Sequence, residues 1–519
     1  VITLPRLLAA LTSGLLLYVI SPPMNLHFLH WVSFVPLLLV MREDDPKGNF
    51  MLGWLAGYSA VSTLFFWLAE SIIRFSNIPA FLSLQVVHLF AFAVGLPYAI
   101  VFPLAPRLRR VFGVGWVFFL PAVQVAVEFV TPALFPYFQG VSQYRVAPAW
   151  QLASVTGVYG VTYLVMLTNC AVAELIIAVR AGERPHLRAL SAVVGLFLGN
   201  LAFGAWRTAE VDAAVAAMPR IKVSQIQQGI TMEERMQSSP GEAMMSWVKA
   251  SEQLRGQKVD LVIWPEGATP YDPRIAKVGQ RMTYLAKYID APIVFGGGYV
   301  EEKQSPITGE PYYEQRNSIY LMSRQGELVT RYDKMVPLPF GEYLPGAETF
   351  PILREWIRGP GNFKAGEVPV VFSLPDRPEI TFTTPICYEA ILSRLVRTQL
   401  SEGQLMVNVT NDGWFGDTSA PHQHAMLSAV RAVELGVPIV RIAYTGVSMR
   451  ISPTGKIEDE TTPFTDVLRV IETPVGRVPT VYSKIGDTYA WLNLAGVIVG
   501  FVLFRRRSLA NVTPLTASS

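Results

Sequence analysis

The chain has 519 residues, of which 51% are apolar and only 16% charged, with a mean hydropathy of +0.33; soluble domains carry about 25% charge. Residues 1–207 hold 12 Lys/Arg and 7 Asp/Glu, whereas the remaining 312 residues hold the other 64 charges. These figures exclude a single soluble globule, a disordered chain and a fibrous one, and they separate a part suited to lipid from a part suited to water. The net charge of +3 makes no case for nucleic acid.

Apolar runs occupy roughly 5–20, 26–41, 51–70, 79–103, 111–130, 153–179, 189–206 and 487–504. Crossing ~30 Å of hydrocarbon takes about 20 helical residues, so the runs predict seven N-terminal spans and one C-terminal span, the first two being short. With a cytoplasmic N terminus, the inner segments carry Arg6, Arg42, Lys47, Arg107, Arg109, Arg110, Arg180, Arg184, Arg188 and Arg505, Arg506 and Arg507, while the short outer loops carry Arg74 and Arg145. This positive-inside bias puts both termini in the cytoplasm and 208–486 on the outer face. The first run is followed at once by another and lacks a cleavage pattern, so it reads as a span, not a signal. Glu128 falls inside the fifth run, where a carboxylate needs a cavity or a partner; Glu70 and Glu174 lie near span ends. Pro132 to Gln151 reads as an outer loop or re-entrant segment.

After Arg207 the pattern changes to short β-rich runs: Ile221–Gln227, Val259–Trp264, Pro292–Gly297, Ser318–Met322, a short strand at Leu328–Thr330, Ile380–Pro385, Leu405–Val409 and Ile439–Tyr444. Several are apolar throughout, as strands covered on both faces are. Segments 241–256, 272–288, 388–398 and 419–436 read as helices, giving a layered α/β domain. Two Gly/Pro-rich stretches, 300–316 and 336–366, read as functional loops or lids.

Three chemistry-bearing groups end predicted strands, where α/β domains place their sites: Glu266 in Trp264-Pro265-Glu266, Lys334 in Arg331-Tyr332-Asp333-Lys334, and Cys387 in Cys387-Tyr388-Glu389. A thiol at a helix N-terminus beside a lysine is expected to have a lowered pKa. A thiol, a carboxylate base and a cation are the set that acyl transfer requires. His422 and His424 are the domain's histidines, and a Cys–His pair is the weaker alternative; two histidines without a third ligand predict no metal. Cys170 and Cys387, far apart, predict no disulfide.

These motifs resemble those of the apolipoprotein N-acyltransferase family, the membrane branch of the carbon–nitrogen hydrolase (nitrilase) superfamily. The likeness continues in Thr410-Asn411-Asp412-Gly413-Trp414-Phe415-Gly416-Asp417, Pro421-His422-Gln423-His424 and Arg441-x-x-x-Thr445-Gly446-x-Ser448. It departs at Gln225-Ile226-Gln227-Gln228-Gly229-Ile230 and around Tyr144. The resemblance implies a seven-span region 1–207, a periplasmic nitrilase-like α-β-β-α sandwich over 208–486, an eighth span at 487–507 and a cytoplasmic tail 508–519, in the inner membrane of a Gram-negative bacterium. It makes Cys387 the nucleophile, Glu266 the general base and Lys334 the oxyanion stabiliser, with Glu342 and Glu389 in support and no cofactor. It implies acyl transfer from a phospholipid, usually phosphatidylethanolamine, through a thioester to the α-amino group of a diacylglyceryl-cysteine at an apolipoprotein N terminus, by a monomer. Phe340, Tyr343, Leu344, Phe350, Tyr388 and Trp414 are expected as lid or substrate contacts. A membrane-tethered amidase using the same three residues is the alternative, which eight spans would not serve.

Overall fold

The computed structural model describes residues 2–76, 79–269, 271–304, 309–357 and 361–510. The end of the expected cytoplasmic tail, 511–519, and the side chains of Arg505, Arg506 and Arg507 lie outside the described residues. The chain forms two compact units, the first taking in the chain up to Phe66, Leu84–Arg207 and the chain from Lys484, the second Trp67–Ser83 and Thr208–Ser483.

The first unit is helical throughout. Among the described residues three stretches are long and apolar enough to cross a membrane, Ala80–Val130, Val158–Arg180 and Leu187–Ala216, and a fourth if the pair Pro46–Leu64 and Trp67–Arg74 counts as one. Leu4–Ile20, His27–Leu39 and Thr488–Leu503 are apolar helices shorter than this. Eight full-length spans are therefore not met. The runs expected at 79–103 and 111–130 fall within one 51-residue stretch, and 26–41 breaks into His27–Trp31 and Val35–Leu39. Apolar side chains face outward along Leu187–Ala216, among them Leu187, Val194, Leu196 and Leu198, a surface that water does not favour and lipid does. Helices approach through small residues: a Cβ on Gly57 would stand 2.3 Å from the Gly95 carbonyl oxygen, the close packing by which apolar helices associate.

The buried carboxylates Glu128 and Glu174 of this unit are partnered. Glu128 accepts hydrogen bonds from the Gln124 side chain, the Gln139 amide and the Thr162 hydroxyl at 3.0–3.1 Å. Glu174 is held by Arg109 and by the Trp116 indole at 2.8 and 2.7 Å. The 132–151 segment is no span: it contains the short turns Gln139–Gln143 and Ala147–Trp150.

Among its described residues the second unit has twelve strands. β2 (Val262–Ile263), β3 (Ile293–Gln304), β4 (Pro311–Met322) and β5 (Leu328–Asp333) form one sheet in that order; β6 (Phe372–Leu374), β7 (Arg377–Thr383), β8 (Leu405–Thr410), β9 (Ile439–Ala443), β10 (Met449–Ile451) and β11 (Ile457–Glu458) form a second; β1 (Arg220–Gln227) pairs with β12 (Val467–Pro474). Ile263, Val294, Ile319 and Leu321 from one sheet share a core with Phe382, Leu405, Val407, Val440 and Ile442 from the other. Sheets therefore face each other, as apolar strand faces must. The other face of the four-stranded sheet is covered by Pro240–Glu252 and Ala276–Ile289, through Trp247, Met282 and Leu285.

The stretch 300–316, expected as a functional loop, is instead the outer half of the β3–β4 hairpin, paired from Tyr299↔Arg316 to Gln304↔Pro311, with 305–308 outside the described residues. Trp67–Ser76, of which residues 67–70 were expected to end the third span, is a separate helix in this second unit. Its Trp67 indole donates to Gln423 at 3.1 Å and packs edge-on against Phe415.

Candidate functional site

Each of the three strand-end residues arrives by a different route. The main chain after β2 continues alongside β3, Trp264 N–H donating to the Val294 carbonyl at 2.8 Å, and the buried indole donates to Ser251; Glu266 follows, 6% exposed. Lys334 stands one residue past β5, its N–H donating to the Asn317 carbonyl on β4 at 2.8 Å. Cys387 lies beyond β7, where Ile386 still bridges Val409 of β8.

Glu266, Lys334 and Glu342 meet. The Lys334 ammonium is 3.2 Å from Glu266 Oε1 and 2.7 Å from Glu342 Oε2. Between the carboxylates sits Asn317, whose single NH₂ group donates to Glu266 Oε1 at 2.6 Å and to Glu342 Oε1 at 2.7 Å. Remaining lone pairs take main-chain donors, Asn411 N–H on Glu266 Oε2 and Leu338 N–H on Glu342 Oε2. Burial disfavours the ammonium, but Glu266, Glu342 and Cys387 outweigh it and raise the Lys334 pKa well above its usual value, so it stays a cation.

Cys387 is 6% exposed and lies within electrostatic reach of Glu266, Lys334 and Asp412. Its φ is +50°, a left-handed conformation that costs a non-glycine residue roughly 1–2 kcal/mol. The expected lowering of its pKa is overturned: burial pushes the thiol up, Glu266 pushes the same way, and Lys334 opposes without prevailing. The helix dipole that was to lower it is a five-residue 3₁₀ turn, Cys387–Ile391, too short to supply one. The resting sulfur is a neutral thiol.

Glu389 does not face the other carboxylates. Fully enclosed, it accepts from the Tyr332 hydroxyl and the Met335 and Val336 amides on Oε1 and from the Ile386 amide on Oε2. Those donors come from both sides of Lys334 and from the residue before Cys387, so this carboxylate ties the two chain segments together. Burial lifts its pKa to about 7 against these donors.

The expected lid contacts divide. Phe340, Phe350 and Trp414 are 58%, 61% and 43% exposed, while Leu344 and Tyr388 are buried and Tyr343 half-buried. Tyr388 lies near Tyr343, and burial, the larger cause, with that neighbour raises its phenol to about 12. Within 336–366 the described residues hold one short helix, Leu353–Trp356, and otherwise turns and bridges. His422 is half-buried; His424 is buried 2.8 Å from Asp412. Among the described residues no cluster of His, Cys, Asp or Glu could hold a metal ion.

Asn317 is the residue that the motifs do not reveal. Its one signal in sequence is an amide placed immediately before the apolar run Ser318–Met322, at the strand position that faces inward. The amide's two hydrogens match two carboxylates that would otherwise repel each other across the ammonium. Chemically, the arrangement offers a neutral thiol, a carboxylate able to take its proton, and a fixed cation for an oxyanion.

Profiles of two families match the chain: the apolipoprotein N-acyltransferase N-terminal domain over residues 13–171 and carbon-nitrogen hydrolase over residues 220–478. The apolipoprotein N-acyltransferase of Geobacter metallireducens is 30% identical over 97% of this chain and 96% of its own; that of Brucella suis is 28% identical over 97% and 96%. An amidase from Nesterenkonia sp. overlays on 49% of this chain and 90% of its own, with 18% identity and a TM-score of 0.37.

Proposed function

The chain belongs to the apolipoprotein N-acyltransferase family, and on that premise we propose that it transfers a fatty acyl chain from a membrane phospholipid, through a thioester on Cys387, to the α-amino group of the diacylglyceryl-cysteine that begins an apolipoprotein. Glu266 takes the thiol proton as sulfur attacks the sn-1 ester carbonyl, phosphatidylethanolamine being the expected donor. Lys334 faces the oxyanion, an interaction worth a few kcal/mol in the transition state. The ester C–O bond breaks, Glu266 returns the proton to the departing alkoxide, and a lysophospholipid leaves. The neutral amine then attacks the thioester, Glu266 accepts its proton, the C–S bond breaks and the proton goes back to sulfur, leaving the amide.

The observation that carries this reading is the ammonium shared by Glu266 and Glu342 beside a buried cysteine held at positive φ. Glu342 fixes the ammonium; Glu389 fixes the segments that bear Lys334 and Cys387. Since each buried CH₂ is worth about 0.8 kcal/mol, moving a ~16-carbon chain into water would cost on the order of 12 kcal/mol, so donor and lipidated acceptor react with their tails still in an apolar setting. Exposed Phe340, Phe350 and Trp414 are suited to line such a gate.

The positive-inside bias supports a multi-pass protein of the inner membrane with cytoplasmic termini and a periplasmic catalytic unit. Eight crossings remain the proposed number: a 51-residue stretch is, at 1.5 Å per residue, about 77 Å long, more than twice the hydrocarbon thickness. The proposed limits are 1–207 for the first seven spans, 208–486 for the catalytic domain and 487–507 for the eighth. Intact-mass analysis tests the chemistry. The protein incubated with phosphatidylethanolamine should gain one acyl group on Cys387 and lose it to a diacylated peptide; Cys387→Ala should gain none, and acylation persisting in that variant refutes the assignment.

A further inference from the structure

One buried ionic cluster has no part in the chemistry above. Arg441 on β9 and Asp412 are fully enclosed and 2.8 Å apart. Such a pair at best breaks even against apolar residues of the same shape, so what it holds is more telling than what it contributes to stability. Two routes lead from it to the Cys387 segment, one through Asn408 and one through Thr410. Arg441 donates to Asn408 Oδ1 at 2.5 Å, and Asn408 donates to the Pro385 carbonyl at 2.9 Å, two residues before the cysteine. His424 Nδ1 lies 2.8 Å from Asp412 Oδ1 and holds that carboxylate in place. Thr410 donates to Asp412 Oδ1 at 3.1 Å and is within hydrogen-bonding reach of the Cys387 thiol. Space is cut to fit: a Cβ on Gly446 would stand 2.1 Å from Asp412 Oδ2.

A cysteine at φ +50° persists only where its surroundings over-determine it, and here the Pro385 carbonyl is held from the cluster while the Ile386–Val409 bridge sets Thr410 beside the cysteine. We propose that the Arg441–Asp412 pair, through Asn408, His424 and Thr410, is a positioning device that fixes the Cys387 sulfur for attack, with Thr410 the member that touches it. The Asp412 charge by itself opposes a thiolate, so the pair acts on the sulfur only through the hydroxyl it orients. Asp412 itself stays ionised: burial would raise it, but Arg441 and His424 prevail and hold it at about 2. The Thr410 hydroxyl has one proton. Given to Asp412, it leaves the oxygen to accept the S–H; turned to the sulfur, it supports the thiolate while His424 keeps Asp412 Oδ1.

The inference rests on Cys387 being the acyl carrier, and the experiment separates the two. Full-length Thr410→Val and Thr410→Ser, in phosphatidylethanolamine-containing nanodiscs, are compared with the parent for melting temperature, for the pH profile of iodoacetamide alkylation mapped to the Cys387 peptide, and for the rate of acyl-Cys387 formation. Thr410→Val should melt within a few degrees of the parent, alkylate with a profile moved to higher pH and acylate at least tenfold more slowly. Thr410→Ser should recover to within threefold. An unmoved profile with parental acylation in Thr410→Val overturns the proposal, as does Thr410→Ser behaving like Thr410→Val. Should Thr410→Val fail to fold, Thr410→Ala against Thr410→Ser makes the same comparison. A parent in which Cys387 never carries an acyl group refutes the carrier reading alone, since alkylation needs no acyl donor and still judges the role of Thr410.

Discussion

The Lys334 ammonium lies closer to Glu342, at 2.7 Å, than to any other carboxylate recorded near it, and both side chains are largely withdrawn from water. Glu266, the proposed base, is the more distant partner at 3.2 Å. Two carboxylates share one cation, so Glu342 keeps the ammonium from collapsing onto the base. Removing its charge with Glu342→Gln retains size and leaves Lys334 to pair with Glu266 alone, which makes Glu266 a weaker proton acceptor. Acyl-enzyme formation should slow at least tenfold while the melting temperature changes little. Single-turnover mass analysis with phosphatidylethanolamine measures it, and an unchanged rate would remove Glu342 from the machinery.

Acidity and reactivity of the thiol should come apart in Glu266→Gln. In the resting site burial raises the Cys387 pKa and the Glu266 charge raises it further, against Lys334 and Thr410. With Glu266 neutral, Lys334 acts on the sulfur less opposed, so the alkylation profile of Cys387 should move to lower pH. Acyl transfer from phospholipid should nevertheless be lost, because no group remains to take and return the proton. A profile that moves upward or not at all would contradict the electrostatics of the site.

The strand-end positions of Glu266 and Cys387 were legible because each follows a strand of the buried core, and buried strands announce themselves by composition; Lys334 follows β5, a mostly exposed or half-buried strand, and stood out by its charged tetrapeptide. The outer half of the β3–β4 hairpin was not legible. It carries Glu301, Lys303, Tyr312, Tyr313, Glu314 and Arg316, exposed or half-buried on both faces, and is held by cross-strand ion pairs such as Lys303–Glu314 at 2.8 Å. Hydrophobic periodicity has nothing to register there. Asn317 escaped for a related reason: it is a polar residue on a strand whose meaning depends on partners far away in sequence, and Arg441, though part of a quoted motif, carried no sign of its partners Asp412 and Asn408. Residues 67–70 were read as the end of the span 51–70 because the run is apolar, whereas Trp67 packs on Gln423 and Phe415 of the second unit.

Glu389 should leave a signature in the pH dependence of stability. Its folded pKa, lifted by burial to about 7, exceeds the ordinary 4.5, so between those values the folded protein binds the extra proton. The contribution is therefore fully present below about pH 4.5 and is lost as pH rises through 7, with a total on the order of 3 kcal/mol. Glu389→Gln cannot titrate, and its amide opposes the Ile386 N–H with a donor, at a cost of about 1–3 kcal/mol. The variant should melt below the parent at every pH, and the gap should widen as pH falls from 7 toward 5. Thermal unfolding across that range decides it; a gap that narrows would mean that the four donors hold the carboxylate ionised instead.

Backbone strain at Cys387 reverses the usual ranking of two substitutions. Glycine normally lowers stability relative to alanine by roughly 0.5–1 kcal/mol, because it gives up more chain entropy on folding. At φ +50° alanine keeps the left-handed penalty of roughly 1–2 kcal/mol that cysteine bears, and glycine does not. Both changes delete the same sulfur, so the loss of its interactions cancels in the comparison. Cys387→Gly should accordingly melt no lower than Cys387→Ala, and up to a few degrees higher, with neither variant taking up acyl groups. If Cys387→Gly melts clearly lower, the cysteine is not strained, and the need for a cluster that holds it in place falls with that result.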